Sequence, residues 1–288
     1  MSRLGRVGFS LVELLVALVL FGAVTAGIYR VLVDNQRLYR AQTQRIDLQQ
    51  NIRAAVTILP AEFRELDATN GDIKAMSATS ITIRAMRQLG FICSPPILGG
   101  SLSGVPFTIR SSLFFGTRGF NTATDSVLIY YEGDPATRGD DSWVLGALTG
   151  VGTANCPDGE PGQQLTTNLA LAASQPNQAG AVPGGAPVRG FETVTYLLYQ
   201  SGDGDWYLGL RNDGGTQPLI GPVRDGGGLT FSYYDAAGAV TTVPAEVALI
   251  EIELVGQTAE PIRQADGSLG FKVDSIVTQV ALRNNQRF

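Results

Sequence analysis

The sequence predicts an α+β protein in which one long amino-terminal helix, apolar enough in its first half to cross a membrane, leads into a globular head built on antiparallel β-sheet. Three observations carry that prediction. Residues 9–29 form an apolar run whose only charge is Glu13. Apolar residues then recur at steps of three, four, six or seven as far as Leu66, as on one helix face. From about Ser77 the chain breaks into short β-rich runs separated by Gly, Pro, Asn and Asp.

The first eight residues carry Arg3 and Arg6 and no acid, and the apolar run begins only after Gly8. At about 1.5 Å per residue, the segment from Phe9 to Tyr29 spans about 30 Å as a helix, the hydrocarbon thickness of a bilayer. The arginine-bearing end is expected to stay cytoplasmic, which puts everything after about Tyr29 on the outer side. An ordinary secretory signal has its small-residue cleavage site after the apolar stretch, whereas here the best small residue, Gly8, precedes it.

This arrangement of a short basic leader, Gly8, Phe9, Glu13 and an uninterrupted apolar helix resembles the class III leader of type IV prepilins and type II secretion pseudopilins. The resemblance implies a pilin-like fold and places residues 1–8 in a leader peptide. It also implies cleavage between Gly8 and Phe9 by a membrane-embedded prepilin peptidase, N-methylation of Phe9, and a role for Glu13 in subunit assembly. Implied partners are that peptidase, other minor and major pilin subunits meeting through the amino-terminal helix, and an inner-membrane assembly platform. The implied location is a single pass of the inner membrane with the head on the periplasmic side, then the tip or base of a filament.

The chemistry of Glu13 supports the same reading. A carboxylate within a membrane span costs roughly 2.5–3.5 kcal/mol on insertion scales and therefore usually has a partner. Cleavage after Gly8 would leave a cationic amine on Phe9, about one helical turn and 6 Å along the axis from Glu13. In a staggered bundle, the amine of one subunit can neutralise Glu13 of the next. The plainer alternative is an acid close enough to the headgroups to stay solvated. Gly22 with Ala26 and Ala23 with Gly27 make small-xxx-small pairs that permit close helix approach. The same glycines could equally mark a place where the helix loosens.

Residues 30–67 read as a continuation of this helix, polar between Asp34 and Asn51 and with a denser apolar face from Ile52, where it docks on the head. Pro60 is expected to bend or interrupt it, because proline lacks a backbone donor and crowds the preceding turn.

The head, residues 68–288, is expected to contain strands over 80–86, 106–110, 126–132, 191–200, 206–211, 229–234, 247–255 and 271–282. Ser201-Gly202-Asp203-Gly204-Asp205 is a hairpin signal. Leu249, Glu251, Glu253 and Val255 alternate with Ile250, Ile252 and Leu254, so one sheet face is apolar and the other partly acidic. Residues 168–190, rich in Gly, Pro and Ala, read as a long surface loop. Gly221-Pro222-Val223-Arg224-Asp225, the run from Leu229 to Gly238, Val243-Pro244-Ala245-Glu246-Val247 and the closing Val280-Ala281-Leu282-Arg283-Asn284 resemble the minor-subunit branch, PilW-like pilins first and GspJ-like pseudopilins second.

Cys93 and Cys156, the only cysteines, lie in loop-like sequence on the predicted outer side, where an even pair suggests one disulfide; two free thiols are the alternative. The chain has no histidine, which excludes a Ser-His-Asp or Cys-His mechanism and any His-ligated zinc. A weak calcium candidate is the pair Asp203 and Asp205, with Asp213 or Asp225 as helpers, although aspartates in glycine-rich turns usually serve the turn. Asp140-Asp141 and the pair Glu251 and Glu253 read as solvated rather than as an acid–base set. No cofactor is expected. A formal net charge of −5, with Lys74 and Lys272 the only lysines, leaves no basic tract for nucleic acid.

Taken together these features favour a non-enzymatic minor pilin that takes part in initiating or capping a type IV pilus. The close alternative is a minor pseudopilin of a type II secretion system, and the third reading is a membrane-tethered binding domain on the outer side.

Overall fold

The computed structural model describes residues 10–137, 139–264 and 266–283. One helix, α1, runs from Leu11 to Arg64, 54 residues or about 81 Å. It continues through Pro60, where a bend or an interruption was expected. The proline leaves the Val56 carbonyl without its helical partner. Leu59 and Phe63, both fully buried on either side of it, hold the axis against the head.

The strands that follow are β1 (Ile73–Met76), β2 (Ser80–Ser94), β3 (Val105–Arg110), β4 (Phe115–Gly116), β5 (Asp125–Tyr131), β6 (Ser142–Asn155), β7 (Pro161–Ala170), β8 (Pro187–Gln200), β9 (Trp206–Asn212), β10 (Gly215–Val223), β11 (Leu229–Tyr234), β12 (Leu249–Gln257), β13 (Ile262–Arg263), β14 (Leu269–Gly270) and β15 (Val273–Ala281). All pairings are antiparallel, so the α+β class and the helix-plus-sheet plan are as expected.

Two long strands, β2 and β8, pair from Ser80↔Leu197 to Phe91↔Pro187 and organise the head into two parts. Their first-half/second-half segment near the helix carries β9, β10, β12, β11 and β15 outward as a sheet, and α1 packs on it. The core there joins Ala55, Leu59 and Phe63 of the helix to Ile81, Ile83, Val194, Leu208, Phe231, Ile250, Ile252 and Val280. Phe63 meets Tyr196 and Phe231 edge-on, with ring centroids 5.6 and 6.0 Å away.

At the other end the hydrogen-bonded path β2-β3-β7-β6-β5-β8 returns to β2, which closes a six-stranded barrel. Its interior is a separate apolar core around Ile92, Phe107, Ile109, Val127, Ile129, Tyr131 and Leu165. Closure removes the sheet edges that this part would otherwise expose.

The sequence reading does not contain β6, β7 and β10. Residues 142–170 hold five glycines together with Asn155 and Asn168, residue types with little strand preference of their own. Pairing partners supply what propensity lacks. Gly162 shows the constraint: a Cβ there would stand 2.5 Å from Thr108 Cγ2 and 2.9 Å from the Ile109 carbonyl on β3. The stretch 168–190 also differs from a surface loop. Its ends belong to β7 and β8, and the intervening residues cap the barrel, with Ala181, Val182 and Ala186 buried. The Tyr131 hydroxyl donates to the Pro176 carbonyl at 2.7 Å, and Gln175 Nε2 donates to Ser142 Oγ at 2.7 Å.

Candidate functional site

The helix start is built by a capping box. Ser10 is the N-cap, in extended backbone, and its Oγ accepts the Glu13 amide at 3.2 Å; Glu13 Oε2 in return accepts the Ser10 amide at 3.4 Å. The S-x-x-E pattern ahead of an apolar run is legible in the sequence, and the reading above misses it. Glu13 therefore has a local partner in the isolated subunit. Gly8 and Phe9, the expected cleavage and methylation residues, lie outside the described residues.

From its cap α1 projects free of the head. Its most apolar 18-residue window has a mean hydropathy of 2.4 and buries none of its length in the protein. Burial begins at Leu48 and continues through Ile52, Ala55, Leu59 and Phe63, a four-, three-, four-residue spacing that sets one face on the sheet. The free part, residues 11–43, is about 50 Å long. Close approach at the exit point depends on Gly256 of β12, where a Cβ would stand 2.7 Å from Leu48 Cδ1 and 3.2 Å from Ile52 Cγ1. Two amides reinforce it. Asn51 Nδ2 donates to the Gly221 carbonyl at 2.6 Å, and Gln44 Oε1 accepts the Ala259 amide at 2.9 Å.

A chain of alternating charges joins the membrane-distal end of the helix to the barrel. Arg87, at an irregularity in the β2–β8 register, donates to Glu62 of α1 at 2.8 Å and to Glu192 of β8 at 3.2 Å. Arg118 donates to Glu192 at 2.9 Å and to both oxygens of Asp125 on β5 at 2.6 Å. Burial pushes the Asp125 carboxyl up, but the Arg118 and Asn121 hydrogen bonds outweigh it and hold the group below the usual carboxylate range. No sequence signal marks this network, because its members are scattered from residue 62 to residue 192.

The other sequence candidates separate. Cys93, at the end of β2, and Cys156, in the β6–β7 turn, form a disulfide with Cα atoms 5.5 Å apart. It ties the hairpin tip to the barrel wall, beside an Arg110–Asp158 ion pair. Asp203 Oδ1 accepts the Asp205 amide at 3.0 Å, the turn role of an aspartate rather than a ligand posture. Among the described residues no three His, Cys, Asp or Glu side chains gather as a metal site. Glu251 and Glu253 share one strand face, and Glu251 accepts a hydrogen bond from Gln279 at 2.7 Å. Asp140 accepts the Asp134 amide at 2.8 Å.

The helix projects from a β-rich head with its apolar first half unburied, which suggests membrane anchoring. Residues 8–29 match the family model for the prokaryotic N-terminal methylation motif, which supports a type IV pilin-like protein, processed by prepilin peptidase and assembled as pilins are. That motif belongs to structural rather than enzymatic proteins. No curated protein and no solved structure matches the chain.

Proposed function

We propose that this chain is a minor type IV pilin that helps to initiate or cap a pilus at the inner membrane. Prepilin peptidase cuts after Gly8, and the new Phe9 amine is methylated and meets Glu13 of a neighbouring subunit as subunits leave the bilayer. The observation that carries this reading is the free apolar helix starting at a carboxylate-bearing first turn, with the methylation motif over it. The head supports a minor rather than a bulk role. Heads repeated along a shaft must pack around a shared helical core, and a barrel added to the helix-docked sheet fits more readily at a filament end.

Amino-terminal sequencing of the mature protein tests the proposal. It expects a methylated phenylalanine, Phe9, in the first cycle. A chain beginning at Met1, or after about residue 30, would sink the reading.

A further inference from the structure

Strand β15 ends the helix-docked sheet with an edge that the chain itself leaves open. Its ladder to β12 runs without a register shift from Leu249↔Ala281 to Gln257↔Val273. Just beyond its two ends the Leu282 amide donates to the Ala248 carbonyl and the Thr258 amide to the Lys272 carbonyl, both at 2.9 Å. Those bonds fix the alternation: even-numbered residues of β15 bond to β12, so the N–H and C=O groups of Val273, Ser275, Val277, Gln279 and Ala281 point away from it. Among the described residues no strand pairs on that side. All five residues are exposed, Val277 at 57%. An edge of this length is ordinarily blunted by a bulge, a proline or a lysine, and β15 has none of them. The neighbouring flanks are shut. Strands β2 through β8 close a barrel, and the Phe231 amide ties β11 to the Ala78 carbonyl at 2.8 Å.

From this edge we infer that β15 receives an added strand from another protein, an extended segment in which apolar and basic residues alternate. Outward main-chain groups about 6.8 Å apart along β15 are satisfied together only by an extended chain. The two faces of the sheet set its side chains. Ile276 and Val280 lie toward α1 and belong to the core there, so one face of the incoming strand is apolar. On the opposite face Val277 and Gln279 stand beside Glu253 and Glu251 of β12. Glu253 is exposed and has no basic partner among the described residues, and Glu251 holds only the Gln279 amide. Lysine or arginine stems on the incoming strand cover Val277 and carry their charge to these carboxylates. A second copy does not fit the edge. Strand β15 runs the same way as α1: Asp274 pairs with Gly256 against Leu48, and the Arg283 amide donates to the Arg64 carbonyl at 2.9 Å. Copies anchored in one membrane therefore present parallel edges. A two-fold axis along those edges sets identical residues at equal height, whereas a parallel ladder needs its strands offset by one residue.

The inference is independent of the pilus assignment, which amino-terminal sequencing tests separately; the anchored helix enters only in excluding a copy. The full chain in phosphatidylcholine nanodiscs is titrated with a dye-labelled synthetic peptide of alternating valine and lysine, and binding is read by fluorescence anisotropy. The same peptide with glutamate in place of lysine should bind at least about tenfold more weakly. Val277→Pro removes an outward N–H that takes no part in the β12 ladder and sets a ring against the incoming strand. It should abolish binding of the lysine peptide and leave the thermal midpoint unchanged. Glu251→Lys combined with Glu253→Lys should reverse the order of the two peptides. Lysine-peptide binding that survives Val277→Pro, equal binding of both peptides, no binding, a lowered midpoint for Val277→Pro, or a dimer of the chain that Val277→Pro dissolves would overturn the inference.

Discussion

Arg87→Met tests how the head is held to its helix. Arg87 is the only link in the charge chain that touches α1, through Glu62, and also β8, through Glu192. The Arg87, Glu62 and Glu192 side chains are 18%, 23% and 13% exposed. Methionine keeps most of the stem volume and removes the cation. Glu192 retains Arg118 at 2.9 Å, whereas Glu62 loses its bidentate partner. Breaking a fully buried pair costs about 3–5 kcal/mol and an exposed one under about 1, so the partial exposure here sets the expected loss at roughly 1–3 kcal/mol. Urea unfolding of the detergent-solubilised chain, followed by tryptophan fluorescence, reads that loss as a lower midpoint at constant slope. Adding Glu62→Gln should recover part of it, since the stranded carboxylate is then gone. A single-variant loss below about 0.5 kcal/mol, the range of ordinary surface changes, would refute the reasoning.

Four further outcomes follow from the same structure. Glu13→Gln keeps the capping partner, because glutamine serves at that helix position as glutamate does, but removes the charge; processing should persist while filament incorporation falls, and normal incorporation measured by immunoblot of sheared filaments would return Glu13 to a purely capping role. Gly256→Leu should lift the helix from the sheet at Leu48 and cost about 1–3 kcal/mol by overpacking, read as earlier proteolysis at the stalk–head junction. Replacing both cysteines by serine opens a 63-residue separation and should cost roughly 4 kcal/mol on the chain-entropy account, measured as a lower thermal midpoint without reductant. Asp125 has a folded pKa below its unfolded one, so its stabilising contribution is complete above the unfolded value and is lost as pH falls through the folded value; Asp125→Asn should flatten the acid limb of stability, and an unchanged limb would contradict this.

How far the sequence reaches depends on how local the cause is. The helix, its apolar first half and its docking face from Ile52 onward are periodicities of neighbouring residues, and the structure shows them with two corrections: buried Leu59 and Phe63 hold the helix through Pro60, which local chemistry alone would bend, and Leu32, Tyr39 and Ile46 stand exposed, off the docking face. Strands β2, β5, β8, β9, β11, β12 and β15 announce themselves by alternating apolar residues. Strands β6 and β7 do not, because glycines and amides enter strands only when a partner strand supplies the hydrogen bonds.

By itself, then, the sequence determined the apolar first half of the helix, the methylation motif over residues 8–29 and the α+β class, since each is written in residues a few positions apart. Tertiary structure alone decided the closure of β2 through β8 into a barrel, the seat of the helix on Gly256 and the charge chain from Glu62 to Asp125. Those features join residues tens to hundreds of positions apart. Their energies come from excluded volume and from charges desolvated together, quantities that exist only once the chain has brought the partners into contact.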